Sequence, residues 1–230
     1  MKQNEKTLNK EDFRRLFPTM IDLSCVRGCH SRIEIHEMAV LAKEIQCAAV
    51  FAMPSQTSYL IKEMKGTEIP VGGVVGFPSG AQTTAVKVFE ATELVKMGCL
   101  ELDMVMNQNE LRNHNLQYVK KDIEAVVEVA KGIPVKVILE ITNLSREEIE
   151  TACKIISETG AKYIKSGTGW MQSGTTVEHI KQMRKFTKSD IKTKAAGGIE
   201  DMDMAYQMYL SGCERFGLGI NRAKKFLKDI

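Results

Sequence analysis

The sequence predicts an α/β fold in which eight parallel strands alternate with helices and close into a (β/α)8 TIM barrel. Short β-branched or apolar runs alternate with longer amphipathic segments along the whole chain. The 230 residues divide into eight units of roughly 29 residues, a usual size for a strand, a helix and their loops. Each crossover carries a helix, so neighbouring strands run parallel. We expect one barrel domain over residues 1–230.

Each element has its own local signal. The runs that favour strands are Thr19–Ser24, Ala48–Ala52, Gly72–Gly76, Leu100–Val105, Val135–Glu140, Tyr163–Ser166, Thr193–Ala196 and Arg215–Gly217. The helical patterns cover residues 33–45, 56–64, 84–97, 115–130, 145–159, 176–186, 202–211 and 221–228. Ser31 with Glu34, and Ser145 with Glu148, are capping-box patterns at two helix starts. A short extra helix over about Lys10–Phe17 precedes the barrel, where it could plug the lower end.

An open doubly wound sheet is the alternative architecture. That fold usually has fewer strands and carries a glycine-rich dinucleotide fingerprint after its first strand. Residues 25–30 contain only one glycine, Gly28. The closed barrel is therefore the favoured fold, and the chain has no linker or low-complexity segment that would divide it.

Composition excludes several classes of function. The chain has 32 basic and 29 acidic residues, a formal net charge of +3, so its bulk charge does not favour a nucleic-acid partner. No apolar run approaches the roughly 20 residues that span a bilayer, and Met1–Lys10 is polar with no apolar segment behind it. Six cysteines are spread along the chain, unlike a secreted disulfide scaffold. We expect a soluble cytoplasmic protein with free thiols and no membrane partner.

Four consecutive predicted strands carry ionisable residues. These are Glu101 and Asp103, Lys136 and Glu140, Lys165, and Lys194. Because side chains alternate faces along a strand, the apolar set, Leu100 and Leu102 included, should face the helices and the charged set the barrel axis. In a sheet with one wet face such charges would be a solvated surface, but a closed barrel has no wet sheet face. Paired charges near the carboxyl ends of its strands therefore predict an active site.

Lys165 and Lys194 lie on neighbouring predicted strands, which suggests a specific chemistry. A free lysine titrates near about 10.4 and is almost wholly protonated at neutral pH. A second ammonium about 4 Å away opposes protonation by up to about 4 kcal/mol, or roughly three pH units. The neutral amine that results can form a Schiff base with a carbonyl substrate. Asp103 could hold the second lysine charged and pass protons through a water.

Five segments resemble the deoxyribose-phosphate aldolase family in their order and spacing. They are Val74–Ala81 (VVGFPSGA), Thr83–Lys87 (TTAVK), Glu101–Val105 (ELDMV), Ile164–Gly169 (IKSGTG) and Lys194–Ile199 (KAAGGI). The resemblance runs from about Ile21 to Gly219, which is nearly the whole chain.

The resemblance implies a (β/α)8 class I aldolase that cleaves 2-deoxy-D-ribose 5-phosphate to acetaldehyde and glyceraldehyde 3-phosphate, with no metal and no other cofactor. It places Lys165 at the Schiff-base position, Lys194 at the lysine that lowers the pKa, and Asp103 at the acid/base partner. It also implies that Thr168 sits beside the imine. Lys136 falls at a family lysine, and we include it among the substrate-binding residues with a supporting electrostatic role.

The chain departs from the family pattern where a phosphate would bind. Glu200 stands where members typically have arginine, Leu218–Ile220 where they have a small residue and two serines, and Trp170 where some have lysine. Phe51 also replaces a small or thiol residue after the second strand. The remaining candidates for substrate binding, mainly through backbone amides, are Gly169, Gly197, Gly198, Gly217 and Gly219, with the start of the last helix.

Three alternatives stay open at this level. The chain could be a family aldolase with a different, non-phosphorylated acceptor, or a barrel that binds sugars without catalysis. Cys25, Cys29 and His30 could suggest a metal or cluster site, but Arg32 stands where a radical iron–sulfur motif needs a third cysteine, so ordinary thiols are favoured. Barrels of this family commonly pair into homodimers or higher homo-oligomers, although no helix shows an apolar stripe beyond what the barrel wall needs.

Overall fold

Eight parallel strands form a closed barrel in the computed structural model, which describes residues 7–227. The strands are β1 (Ile21–Cys25), β2 (Ala49–Ala52), β3 (Val71–Val75), β4 (Glu101–Val105), β5 (Val135–Ile138), β6 (Tyr163–Lys165), β7 (Lys192–Ala196) and β8 (Arg215–Gly219). Each strand pairs with the next one along the chain, and β8 pairs with β1. The predicted barrel is confirmed.

All the predicted helices are present. They are α1 (Lys10–Leu16), α2 (Arg32–Ile45), α3 (Pro54–Glu63), α4 (Thr84–Met97), α5 (Gln108–Arg112), α6 (Leu116–Val129), α7 (Arg146–Ile156), α8 (Val177–Phe186), α9 (Met202–Leu210) and α10 (Ile220–Phe226). Both capping boxes form, at Ser31 and at Ser145. The short helix α5 was not predicted, and the predicted end of the last helix at residue 228 lies outside the described residues.

Each predicted strand differs from the observed one by one or two residues at an end, and three of these differences stand out. Pro18 sits at the start of a 3-10 helix over Phe17–Met20, so β1 begins two residues later than expected. Strand β5 ends at Ile138, because Glu140 adopts a left-handed conformation with φ 51° and leads into a second 3-10 turn. Leu100 precedes β4 and is 57% exposed, so it does not pack against the helices.

Helix α1 covers the outside of the barrel wall. Its buried Phe13 lies 5.2 Å from the ring of Tyr206 and 6.1 Å from the ring of Phe216. Phe216 alternates along β8 with Arg215 and Gly217, which face the interior, so Phe216 points outward. The expectation that this helix plugs the lower end is therefore wrong.

Two apolar clusters build the core. The larger one fills the layer between strands and helices. The smaller one lies inside the barrel and comprises Ala49, Phe51, Val74, Phe77, Val105 and Ile138, contributed by β2 to β5 and the loop after β3. The interior beside β6, β7, β8 and β1 is left for polar side chains and a cavity. No helix within residues 7–227 is both long and apolar enough to cross a membrane.

Lys87 of the TTAVK segment stabilises the packing of two helices. It is fully buried, and its Nζ lies 2.6 Å from Asp122 Oδ2 on α6 and donates to the carbonyl of Val105 at 3.0 Å. Thr84 donates to the other oxygen of Asp122 at 2.8 Å. The segment therefore ties α4 and α6 to the carboxyl end of β4.

Helix α4 also presents apolar side chains to solvent. Val86 and Phe89 are exposed on it, Phe89 to 69%, and Met97 lies exposed at its end. The sequence-based expectation that no helix carries such a stripe is wrong for this helix.

Candidate active site

An ionic network fills the lower interior of the barrel. Its cations are Lys136, Lys165, Lys194 and Arg215, and its carboxylates are Asp22, Glu101 and Asp103. They come from β1, β4, β5, β6, β7 and β8, where side chains at alternate positions point inward. Burial of so many charges is tolerable only because each cation meets a carboxylate.

Asp103 lies at the centre of this network. Its Oδ2 accepts from Lys165 Nζ at 2.8 Å and from Lys194 Nζ at 2.7 Å, and its Oδ1 lies 3.2 Å from Lys136 Nζ. Lys194 is also paired with Asp22, whose Oδ2 lies 2.5 Å from Lys194 Nζ. The three predicted catalytic side chains therefore meet, with one carboxylate oxygen shared between two ammonium groups.

The lower half of the network is closed by Arg215. Its two terminal nitrogens lie 2.9 Å from Asp22 Oδ1 and 2.9 Å from Glu101 Oε1, and Glu101 also pairs with Lys136. Sequence reasoning missed Arg215 and Asp22. Their alternation with apolar residues in β8 and β1 was the available signal.

Four cations face three carboxylates, so the network has one positive charge too many. The number of ion pairs shows which cation is least stabilised in its charged form. Lys136 makes three ion pairs, to Asp22, Glu101 and Asp103. Lys165 makes one ion pair, to Asp103, while Lys194 makes two. Loss of the Lys165 proton would leave the remaining charges balanced.

The pKa of Lys165 reflects this position. Burial lowers the pKa of the amine, Asp103 opposes the shift, and Lys194 and Lys136 lower the pKa further, to about 8. The sequence-based account attributed the depression to the neighbouring ammonium, but burial makes the larger contribution. Burial raises the pKa of the Asp103 carboxyl. The ammonium groups of Lys136, Lys165 and Lys194 outweigh this effect and together hold the pKa well below its usual range.

Phe51 forms an apolar wall of the network. The centre of its ring lies 4.5 Å from Lys136 Nζ and 4.6 Å from Lys194 Nζ, close enough for cation–π attraction. The ring occupies the space of a side chain at the cross-strand position, Gly72, where an added Cβ would lie 2.0 Å from a ring carbon. The large residue on β2 is therefore accommodated by the absence of a side chain on β3.

A cavity of about 250 Å³ opens above the network at the carboxyl ends of the strands. The sequence-predicted residues that line it are Asp103, Lys165, Thr168, Gly169, Lys194, Gly197, Gly198, Gly217 and Gly219. Lys136 does not line the cavity; it is fully buried below, where Asp103, Asp22 and Glu101 outweigh the effect of burial and hold its pKa above the usual value. Its position fits an electrostatic role and no substrate contact.

The chain matches a known protein family over most of its length. A family model described as DeoC/LacD family aldolase matches residues 19–212. The chain belongs to this aldolase family. It is therefore a lyase that makes or breaks carbon–carbon bonds.

Individual relatives agree with the family match. The aldolase is 40% identical over 211 residues to a deoxyribose-phosphate aldolase of Sinorhizobium medicae, covering 91% of this chain and 85% of that protein. It is 36% identical to a deoxyribose-phosphate aldolase of Klebsiella pneumoniae, covering 100% of this chain and 92% of that one. A solved aldolase structure designated QR15 superposes with a TM-score of 0.85 at 33% identity, covering 92% of this chain and 96% of that one.

Glu140 sets the loop that follows the Lys165 strand of the aldolase. Both of its carboxylate oxygens lie 3.2 Å from the amide nitrogen of Thr168, and the Thr168 hydroxyl donates to the same carboxylate. Glu140 is buried, and Gln108 holds its left-handed backbone by donating to its carbonyl at 3.0 Å. Sequence reasoning counted Glu140 among the inward charges but missed this contact with Thr168.

The glycine turn after β7 packs directly against the loop after β6. Gly197 and Gly198 have φ of 84° and 74°, and a Cβ on Gly198 would lie 2.2 Å from the Cα of Gly174. Both the positive φ and this close approach require glycine. The backbone of the turn thus reaches the cavity without any side chain.

The aldolase has cations at the cavity mouth that sequence reasoning missed. Arg27, from the loop after β1, and Arg222, from α10, both line the cavity, whereas Glu200 and Trp170 do not. Neither arginine stands in a segment that carries the family resemblance, so no motif pointed to them. Within residues 7–227, no group of three or more His, Cys, Asp or Glu residues is arranged to hold a metal ion.

Proposed function

We propose that the protein is a class I aldolase that cleaves 2-deoxy-D-ribose 5-phosphate through an imine on Lys165. The observation that carries this proposal is the buried Lys165 amine, with a pKa of about 8, at the floor of a cavity and 2.8 Å from Asp103. The named activity of the relatives at 36% to 40% identity supports the choice of substrate.

The reaction follows from this placement. The neutral amine attacks C1 of the open-chain sugar, and loss of water gives a protonated imine that can accept an electron pair. Removal of the C3 hydroxyl proton then breaks the C2–C3 bond, releases glyceraldehyde 3-phosphate and leaves an enamine on Lys165. Protonation of the enamine at C2 and hydrolysis release acetaldehyde and regenerate the amine.

Asp103 and Lys194 are proposed to move the protons. The carboxylate stays ionised because the pKa of Asp103 is held well below its usual range. It can therefore accept a hydrogen bond from a hydroxyl of the substrate or from a water. The ammonium of Lys194 lies 2.7 Å from the same oxygen and can donate. Thr168, Gly169, Gly197, Gly198, Gly217 and Gly219 are proposed to contact the substrate, and no metal or organic cofactor takes part in this scheme.

The proposal also includes the location of the protein in the cell. All six cysteines are free thiols, and five of them are buried. Free thiols of this kind fit a reducing compartment, which supports a cytoplasmic location.

Borohydride trapping with acetaldehyde tests the imine. In the wild-type protein, reduction should leave one ethyl group, and peptide mapping should place it on Lys165. Lys165→Met should abolish the adduct, whereas Lys181→Met, at an exposed lysine of α8, should leave it unchanged. An adduct that persists in Lys165→Met would move the nucleophile elsewhere and contradict the proposal.

A second candidate function uses the same lysine chemistry on a sugar that carries no phosphate. It is favoured by the departures at Glu200, Trp170 and Leu218–Ile220, where the family's phosphate-binding groups are missing. Comparing kcat/KM for 2-deoxyribose 5-phosphate with that for 2-deoxyribose separates the two candidates. Equal or better turnover of the free sugar would favour the second candidate.

A further inference from the structure

The cavity mouth carries positive charge that the proposed chemistry does not use. A second, outer cavity of about 360 Å³ shares Arg27, His30, Gly219 and Arg222 with the catalytic cavity, and Lys225 also lines it. The two cavities are therefore neighbours, and both arginines border each of them. Lys165 and both arginines line the same catalytic cavity, so one ligand in that cavity can approach all three side chains.

Neither arginine is neutralised by the described part of the chain. Among residues 7–227, no carboxylate oxygen lies within 4.0 Å of the side-chain nitrogens of Arg27 or Arg222. The carboxylates that line the catalytic cavity, Asp22 and Asp103, lie at its floor and are already paired with lysines. The mouth thus has cations and no lining carboxylate.

Trp170 holds Arg27 at this position. The indole nitrogen of Trp170 donates to the carbonyl of Val26 at 2.9 Å, which fixes the loop after β1 against the loop after β6. The guanidinium carbon of Arg27 lies 5.0 Å from the centre of the indole ring, and Arg27 donates to the carbonyl of Gly169. One side of the guanidinium is therefore anchored, and its remaining donors can face a ligand.

Arg222 approaches from α10, the helix that follows β8. Its side chain makes one hydrogen bond within residues 7–227, a long one of 3.5 Å to the backbone carbonyl of Glu200. The Glu200 carboxylate itself does not line either cavity. The acidic replacement that weakens phosphate binding at the turn after β7 therefore does not cancel the charge of Arg222 at the mouth.

We propose that Arg27 and Arg222 form a relocated anion subsite that binds the phosphate monoester of the acceptor, and that Trp170 is a positioning residue for Arg27. This inference rests on the proposed function. With C1 of the sugar on Lys165 at the cavity floor, the C5 phosphate lies at the other end of the carbon chain, toward the mouth. Guanidinium groups bind phosphate oxygens through paired, charge-assisted hydrogen bonds, so they can replace the cation and hydroxyls missing at Glu200, Trp170 and Gly219–Ile220.

Phosphate preference is the quantity to measure. For wild type, Arg27→Gln, Arg222→Gln and the double variant, kcat/KM is determined with 2-deoxyribose 5-phosphate and with 2-deoxyribose. We expect each single change to lower kcat/KM for the phosphorylated sugar by about 10- to 100-fold, as for loss of charge-assisted hydrogen bonds, and to change that for the free sugar by less than about 3-fold. Inorganic phosphate should inhibit the wild type competitively and the double variant much less.

Matched variants control for charge and for structure. Arg15→Gln removes the same charge from α1, where the side chain is 72% exposed, and should leave the preference unchanged. Arg222→Lys keeps the charge but loses the planar fork, so it should recover part of the preference. Trp170→Leu should lower the preference through KM, with kcat on the free sugar retained.

Three outcomes of the cleavage assays with the two sugars overturn the subsite. They are a wild-type enzyme with no preference for the phosphorylated sugar, an equal loss on both sugars, and a preference that survives in the double variant. The reverse reaction distinguishes a phosphate ligand from a carboxylate ligand. Acetaldehyde is condensed with glyceraldehyde 3-phosphate, which carries a phosphate, or with succinic semialdehyde, which carries a carboxylate. If the arginine variants lose activity with succinic semialdehyde alone, the proposal is also overturned. Acetaldehyde trapping in every variant keeps the two proposals apart, because absence of trapping in the wild type contradicts the imine and not the subsite.

Discussion

At the residue scale, the reactivity of Lys165 comes from an imbalance of charge in a buried place. Asp103 shares one oxygen between Lys165 and Lys194, and Lys194 has a second partner in Asp22. The proton is therefore removed most easily from Lys165, the lysine that has only one ion pair. Burial and the two neighbouring ammonium groups bring the pKa of Lys165 to about 8, so a useful fraction of the amine is neutral near physiological pH.

Lys194→Met should shift the pH profile toward higher pH. An amine is nucleophilic above its pKa, so imine formation by the wild type should rise with pH through about 8. Removal of Lys194 takes away a repelling cation and leaves Asp103 to stabilise the Lys165 ammonium, which raises the pKa of Lys165. Activity at pH 7 should fall by roughly 10- to 100-fold and recover in part at alkaline pH.

The rate of trapping with acetaldehyde as a function of pH measures this shift. Lys181→Met is the matched control and should keep the wild-type profile. A midpoint that stays at the wild-type value in Lys194→Met would show that Lys194 does not set the pKa of Lys165.

At the element scale, a large side chain on β2 packs over a glycine on β3. Phe51 and Gly72 are direct cross-strand partners, and the Phe51 ring fills the space above Gly72. The same ring lies against the ammonium groups of Lys136 and Lys194. One pair of residues on neighbouring strands thus shapes the wall of the ionic network.

Gly72→Ala should destabilise the barrel. Alanine in a strand interior is normally preferred over glycine by about 0.5–1 kcal/mol, but here its Cβ would lie 2.0 Å from the Phe51 ring. The clash should outweigh the preference and lower the free energy of unfolding by about 1–3 kcal/mol. Combining it with Phe51→Val should recover much of the loss, so that the two changes are not additive.

Urea denaturation of the single and double variants measures the coupling. Gly28→Ala serves as the control, because a Cβ there meets no atom within 4 Å. Additive effects of Gly72→Ala and Phe51→Val would refute the steric link between the two strands.

At the scale of the whole molecule, the ionic network joins strands from opposite sides of the barrel. Asp22 on β1 pairs with Lys136 on β5, and Glu101 on β4 pairs with Arg215 on β8. Burial raises the pKa of Asp22, but the surrounding Lys136, Lys194 and Arg215 outweigh it and lower the pKa overall. Barrel closure and the ionisation of these carboxylates are therefore linked.

The stability of the barrel should fall steeply in acid. Aspartates in the unfolded chain titrate at about pH 3.9, while Asp22 and Asp103 in the folded protein stay ionised to lower pH. Below about pH 4 the unfolded state binds more protons, so the free energy of unfolding decreases as the pH falls through that value toward the lower folded pKa. Urea denaturation over this pH range measures the slope.

Asp22→Asn tests the origin of that slope. The variant should lose about 3–5 kcal/mol at neutral pH, because it leaves buried cations short of a carboxylate, and its stability should depend less on pH below about 4. Asp190→Asn, at an exposed position, is the control and should behave as the wild type. A wild-type slope in Asp22→Asn would show that the network is not the source of the acid dependence.

Local sequence signals were sufficient to predict the architecture. Alternating apolar runs, capping boxes at Ser31 and Ser145 and a repeat of constant length predicted strands, helices and barrel closure, because these patterns depend on periodicity and backbone hydrogen bonding that neighbouring residues determine. Boundaries were less accurate at β1, where the 3-10 helix that contains Pro18 delays the start of the strand, and at β5, where the left-handed Glu140 follows its early end. The inward side of β4 to β7 was predictable for the same reason, since faces alternate along any strand.

The sequence by itself determined the barrel and the strands that bring Asp103, Lys165 and Lys194 into its interior, since both follow from local periodicity and the family's motifs. Only the tertiary structure decided that burial is the largest influence on the pKa of Lys165, that Lys136 does not line the cavity, and that Arg27 and Arg222 both do. Those properties depend on distances between residues far apart in the chain. Such distances exist only when the sheet closes and brings β1 beside β8.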